Sequence, residues 1–153
     1  MDKNRIFVSF SIFIFLLAVG GIGYFLLNQT SEKSAFIKLL VGNQIFEVEI
    51  ADEPLEHSRG LSGRANLPEN QGMFFIFPDL ANRTFWMSGM KFSLDIIWIK
   101  DDQVVGMAEN LPPAASGDPI FYSSSGAVNK VLEINAGLVK KLGLKIGDKV
   151  LLY

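Results

Sequence analysis

FWMSGMKFSLDIIWI, residues 85–99, sets a single carboxylate, Asp95, in a run that is otherwise almost wholly apolar and aromatic. A strand this hydrophobic should lie inside a sheet, and a carboxylate there needs a stated reason. Ser88-Gly89 reads as a bend that divides the stretch into strands over 83–87 and 90–100. On an extended chain Asp95 shares a face with Ser93, Ile97 and Ile99, while Phe92, Leu94, Ile96 and Trp98 take the other. A carboxylate there must be bonded or neutral, since an unpaired buried charge is costly.

Outward from this stretch the chain reads as mainly β. Residues 36–41 and 44–51 form a predicted hairpin around Gly42-Asn43. Phe46, Val48 and Ile50 alternate with Ile45, Glu47 and Glu49, which predicts one core face and one solvent face. Asp52 is placed to cap a short helix with Glu53 and Pro54 in its first turn, ending near Gly60. GMFFIF at 72–77, closed by Pro78, is a second buried strand, and Asp101-Asp102 turns the chain into another at 103–107. A stretch without periodicity follows at 108–128, AENLPPAASGDPIFYSSSGAV. An aperiodic segment of that length inside a small domain is usually a functional loop. Residues 129–134 read as a strand, Asn135 as the cap of a helix over 136–142 stopped by Gly143, and 149–153 as a last strand. Many short strands with two short helices predict a compact jelly-roll or barrel-like β-domain over 36–153.

The N-terminus is different. Residues 6–27, IFVSFSIFIFLLAVGGIGYFLL, are 22 without a charge. As a helix they would span about 33 Å, enough to cross a hydrocarbon core. Lys3 and Arg5 precede them, which predicts a cytoplasmic tail at 1–5 and the rest of the chain outside the cytoplasmic membrane. A cleaved signal peptide is the competing reading, with small-x-small sites at Ala18-Val19-Gly20 and Gly21-Ile22-Gly23. Cleavage at either would leave Tyr24, Phe25, Leu26 and Leu27 exposed near the new terminus, which favours an uncleaved anchor. Residues 28–35, NQTSEKSA, form a polar tether. The chain has no Cys, so it offers no lipid-attachment cysteine, disulfide or thiol chemistry. Residues 36–153 carry 11 Lys and Arg against 14 Asp and Glu, a formal charge of −3 that argues against nucleic acid as a partner.

Several blocks together resemble the family catalogued as domain of unknown function 192. They are GLSGR at 60–64, GMFFIF at 72–77, FWMSGMKFSLDIIWI at 85–99, VVGMAEN at 104–110, and VLEINAG at 131–137 with GDKV downstream. They run in the family's order over essentially all of residues 35–152. The resemblance implies a compact β-rich fold, often placed behind a signal peptide or membrane anchor, and no established reaction, substrate or cofactor. Arg59, Gly60, Gly72, Trp86, Met87, Asp95 and Glu133 match the family's typical residues. Ser88 stands where a Lys is common and Ser93 where a Pro is common, so any role of that Lys in relatives is not carried by this chain.

Candidate chemistry follows from residue type. Asp95 could be a carboxylate with a raised pKa poised for proton transfer. The commoner arrangement is structural: it accepts N–H bonds from the Ser88-Gly89-Met90 bend, or pairs with Arg59 or Arg83. Glu133 shares a strand face with Val131 and Asn135; if its strand faced that of Asp95, the two could form the carboxylate pair of a hydrolase. Its plainer reading is a strand-edge Glu bonded to a nearby Lys. His57 is the only histidine, too few for a zinc site or a Ser-His-Asp triad, and Asp52, Glu53 and Glu56 beside it read as a solvated helix face. Trp86, Met87, Met90 and Tyr122 beside the long loop are candidates for an aromatic and methionine-lined groove, with Arg59 and Arg83 as its cations. No metal and no cofactor are expected.

The function these features favour is a membrane-tethered, extracytoplasmic β-domain that binds a small molecule, glycan or extended peptide. The alternatives are a hydrolase using Asp95 with Glu133 or Glu109, and an accessory subunit docking on a membrane protein through its anchor and sheet edge.

Overall fold

The expected hairpin opens the domain in the computed structural model, which describes residues 36–114 and 120–153. β1 (Ile37–Val41) pairs antiparallel with β2 (Gln44–Ala51) around Gly42, whose φ of 59° is left-handed and suits glycine. There follow α1 (Pro54–Arg59), β3 (Gln71–Ala81), β4 (Thr84–Trp86), β5 (Leu94–Lys100), β6 (Gln103–Leu111), β7 (Phe121–Ser123), β8 (Val128–Asn135), α2 (Leu138–Leu142) and β9 (Val150–Leu152). Seven strands form one sheet in the order β6-β5-β8-β3-β2-β1-β9, and β4 and β7 form a separate two-stranded sheet. Within the large sheet only β2 and β3 run parallel, the crossover between them carrying α1.

The large sheet curls until its two outer strands meet. Gln103 of β6 bridges to Lys149, and Val104 N donates to Asp148 O at 3.0 Å while Val150 N donates to Asp102 O at 2.8 Å. The domain is therefore mainly β, a curled half-barrel with two short helices. One sheet face packs Phe46, Phe74, Ile97, Leu132 and Ile134 against Leu138 and Val139 of α2. The other face packs Met73, Phe75, Ile96, Trp98 and Val131 against Leu61, Leu67 and Met87. This double coverage is why β5 is apolar without alternation: every residue but Lys100 is buried.

Asp95 is fully buried, and backbone groups account for both its oxygens. Between the pairs Leu94↔Leu111 and Ile96↔Ala108 the register slips, so Asp95 opposes both Glu109 and Asn110. Such a bulge frees an N–H from the ladder. Asn110 N, on a residue with φ 55°, donates to Asp95 Oδ1 at 2.8 Å. Val139 N in the first turn of α2 donates to Oδ2 at 2.9 Å, a service that the preceding Gly137 has no side chain to perform. Neither Arg59, Arg83 nor the Ser88-Gly89-Met90 bend is its partner, since those groups lie on the opposite side of the sheet.

Other expectations are corrected. The second face of β2 meets solvent only at its start, where Ile45 is exposed: Glu49 and Ala51 are buried, and Glu49 forms a two-pronged ion pair with Arg64, Nη2 to Oε2 at 2.7 Å. That bond raises the Arg64 pKa and ties the segment after α1 to β2. β3 runs beyond Pro78 to Ala81, with a register break between Ile76 and Ala81 that spares the proline from ladder bonding. Glu53, not Asp52, is the N-cap of α1, and Asn135 does not cap α2 but donates to Leu67 O at 2.8 Å. The segment expected to be aperiodic at 108–128 contains the end of β6 and all of β7. The predicted tail, anchor and tether at 1–35 lie outside the described residues.

Asp95→Ala would strand the buried Val139 N–H and the partly buried Asn110 N–H, at ~1–3 kcal/mol for a buried group. It should lower the unfolding free energy by about 3 kcal/mol or more in urea titration, with Asp95→Asn losing roughly half as much. A loss below 1 kcal/mol for the alanine variant would remove Asp95 as the pin of this fold.

Candidate functional site

Over the second sheet face, α1 and the β4–β7 ribbon flank a pocket of about 620 Å³. The ribbon is held together by the pairs Thr84↔Ser123, Phe85↔Tyr122 and Trp86↔Phe121. Buried Ser124 closes its end: its Oγ accepts from Arg83 N at 3.0 Å and donates to Gly126 O at 2.7 Å. On β4 the alternation turns Phe85 and Met87 toward the sheet. Phe85 meets Phe75 edge-on at 4.9 Å and Trp98 at 5.6 Å. Trp86 faces the other way and stays half exposed beside Phe121, with ring centroids 5.7 Å apart.

α1 is anchored through His57. Its Nε2 lies 3.0 Å from Ala51 O and 3.1 Å from Ile76 O. Both are acceptors, so Nε2 must carry a proton, and the ring lies 4.4 Å from that of Phe77. Arg83 stacks on the other aromatic surface here, its Cζ 4.0 Å from the Phe77 centroid. Its Nη2 donates to the carbonyl and carboxylate of Asp79, each at 2.7 Å. Arg83 Nε is buried and has no hydrogen-bond partner among the described residues. Arg59 has no carboxylate partner among the described residues.

Glu133 stands at the pocket's inner wall. It lies on β8 between β3 and β5, opposite Met73 on one side and Ile96 on the other. It is only 5% exposed. No ion pair or side-chain hydrogen bond reaches it among the described residues, and burial pushes its carboxyl from the ordinary 4.5 up to about 8. The expectation of a strand-edge Glu bonded to a Lys is thus overturned: the strand is central, and both flanking residues are apolar. Gly60 ends α1 above it. A Cβ there would lie 3.7 Å from Glu133 Oε2 and 3.4 Å from Phe75 Cζ, at a φ of 49° that disfavours any side chain.

Of the residues singled out from the sequence, Trp86, Met90, Arg59, Arg83 and Glu133 line this pocket. Met87 does not: it is 3% exposed and packs in the core, because it shares the inward face of the strand with Phe85. Tyr122, paired with Phe85, likewise packs against that core instead of lining the pocket. Asp95 pairs with Ile134, one residue from Glu133, so the two carboxyls project to opposite faces and form no pair. Glu109 is exposed at the β6 bulge and is also absent from the lining. Sequence reasoning passed over Phe75, Phe77, Phe85 and Phe121, and gave His57 no role beyond excluding a zinc site and a Ser-His-Asp triad. Phe121 alone had a local signal, an aromatic set in an otherwise small and polar loop.

The lining is better equipped to bind than to react. Glu133 is protonated at neutral pH, a hydrogen-bond donor without a second carboxylate beside it. The lining hydroxyls of Ser58 and Ser62 are occupied in donating to Leu55 O at 3.0 Å and Ser88 O at 2.8 Å. Among the described residues, no group of three or more His, Cys, Asp or Glu could hold a metal ion.

The family model for DUF192, described as "Uncharacterized ACR", matches residues 37–152. A crystal structure of a protein of unknown function from Novosphingobium aromaticivorans DSM 12444 is 34% identical, with a TM-score of 0.71, covering 80% of this chain and 89% of that one. A second, from Sinorhizobium meliloti 1021 and described as a candidate transcription regulator, is 29% identical, with a TM-score of 0.68, covering 76% of this chain and 91% of that one. No curated protein matches the chain.

The raised Glu133 pKa makes stability fall as pH rises. Between about pH 4.5 and 8 the unfolded chain releases this proton while the folded chain keeps it. At ~1.4 kcal/mol per pKa unit the full effect is on the order of several kcal/mol. Glu133→Gln should flatten that decline in denaturation measured from pH 4 to 9, and be a few kcal/mol more stable than the parent above pH 8. Parallel profiles for the two chains would show that Glu133 is not the group responsible.

Proposed function

The chain belongs to the DUF192 family, and we propose that its β-domain is a binding module for a small organic molecule. One observation carries this reading: Glu133 is nearly buried at the wall of an aromatic pocket, and no side chain among the described residues bonds its carboxyl. A buried polar group left unsatisfied is destabilising, and it persists where function requires it. A volume of about 620 Å³ suits a ligand of modest size, and apolar walls with a few placed polar groups are the usual make-up of such sites. Half-exposed Trp86 and Phe121 offer the flat surface on which a ring would stack.

The hydrolase reading has less support, because Asp95 and Glu109 stand outside the pocket and Glu133 has no carboxylate to work with. A role in regulating transcription, as described for the Sinorhizobium relative, has less support, since 14 acidic against 11 basic residues over 36–153 disfavour a phosphate backbone. Residues 6–27 would hold the module at the cytoplasmic membrane with the β-domain outside, which topology mapping by reporter fusions at either end of the chain can test.

Thermal-shift screening of the full chain against small molecules, oligosaccharides and peptides tests the binding role. A ligand at a hundredfold excess over its Kd stabilises by ~2.7 kcal/mol, a readable shift. Trp86→Ala, at a half-exposed position, should leave the melting temperature of the free protein nearly unchanged and cut the ligand-induced shift by more than half. A shift of undiminished size in that variant would place binding elsewhere.

A further inference from the structure

The pocket holds two polar groups that the protein leaves unanswered, and they differ in what they require. Arg83 Nε is a buried donor without an acceptor. The Glu133 carboxyl is buried, has no side-chain partner, and opens into the same space. Arg59 adds a second guanidinium without a carboxylate partner among the described residues. Glu133 is the only acidic residue in the lining. Asp79 answers Arg83 through Nη2 but leaves Nε free.

We infer that the pocket takes an organic acid: a ring-bearing body lies against Trp86 and Phe121, the anionic group accepts from the Arg59 and Arg83 guanidiniums that line the pocket, and a carbonyl or hydroxyl meets the Glu133 carboxyl. The inference rests on the reading of this pocket as a ligand site. A cationic ligand is disfavoured because it would meet two guanidiniums while the one carboxyl available is kept neutral by its surroundings. An uncharged ligand would leave the arginines to water. A guanidinium held by stacking and by a second bond is well suited to carboxylate recognition, since its remaining N–H is already directed.

Proton linkage follows from the same geometry. The titratable and charged groups that line the pocket with Glu133 are His57 and Arg59 on α1 and Arg83 ahead of β4. β3 and β5 oppose it with Met73 and Ile96, and Asp95 lies on the other sheet face. Burial holds the proton on Glu133 up to about pH 8. Ionisation above that would set a negative charge beside an anionic ligand and remove the donor, so affinity for the acid should weaken about tenfold per pH unit above 8.

Three probes differing in one group separate the outcomes: 4-hydroxyphenylacetate, its amide, and tyramine, titrated into the full chain with detection by ligand-observed NMR. At pH 7 the carboxylate should bind at least tenfold more tightly than the amide or the amine. Arg83→Gln should abolish that preference. Arg59→Gln changes an exposed side chain without an ion pair, so it should not disturb folding, and it should weaken the acid more than the amide. Glu133→Gln should lose the decline above pH 8. Tighter binding of the amide or of tyramine, lost in Trp86→Ala, would overturn the choice of ligand class and leave the site standing. No binding of any of the three by a folded chain would overturn both.

Discussion

Two hydrogen bonds to one buried carboxylate join three elements that otherwise have no covalent reason to stay in register. Asp95 receives the N–H that the β6 bulge removes from the ladder and the first-turn N–H of α2. β6 is an edge of the seven-stranded order, and its far end must reach Lys149 for the sheet to curl. α2 must lie on the sheet for Leu138 and Val139 to fill the face it covers. With Asp95 in place, closure of the half-barrel and burial of that face are consequences of one pinned corner.

The sheet carries a second buried carboxyl one residue out of step, and its fate is the reverse. Glu133 is next to the residue paired with Asp95, so the pleat sends it to the face covered by α1 and the β4–β7 ribbon. There it meets Phe75 and the bare backbone of Gly60 instead of N–H donors. Desolvation without compensation raises its pKa, whereas a carboxylate with both oxygens bonded has been given its solvation back by the protein. The difference between a bonded and an unbonded acid in this domain is therefore a single step along a strand.

Several elements were legible because their physics is local. The near-continuous hydrophobicity around Asp95 announced a strand inside a sheet, and alternation in 44–51 placed Phe46 and Val48 on a core face. Gly42, Gly60 and Gly143 marked a turn and two helix ends correctly because their positive φ is a property of each residue alone. The aromatic Trp86 and the arginines Arg59 and Arg83 were picked out by type. Met87 was misplaced because its type suits a groove and a core equally, and only the direction of β4 decides between them. Phe75 and Phe77 were read as ordinary core, since nothing in GMFFIF distinguishes a ring facing protein from one facing a cavity.

By itself the sequence determined a single β-rich domain with two short helices behind an apolar N-terminal segment, and the presence of one acid, Asp95, in a strand too hydrophobic for it. Those properties follow from composition and from periods of two and of about four residues, which act over a few positions. Only the tertiary structure decided which acid would be satisfied. That outcome depends on the β6 bulge, on the placement of α2 and on a ribbon built from residues 84–86 and 121–123, far apart in the chain. Hydrogen bonds and desolvation act through space, so the identity of the pocket acid could appear only once those segments were brought together.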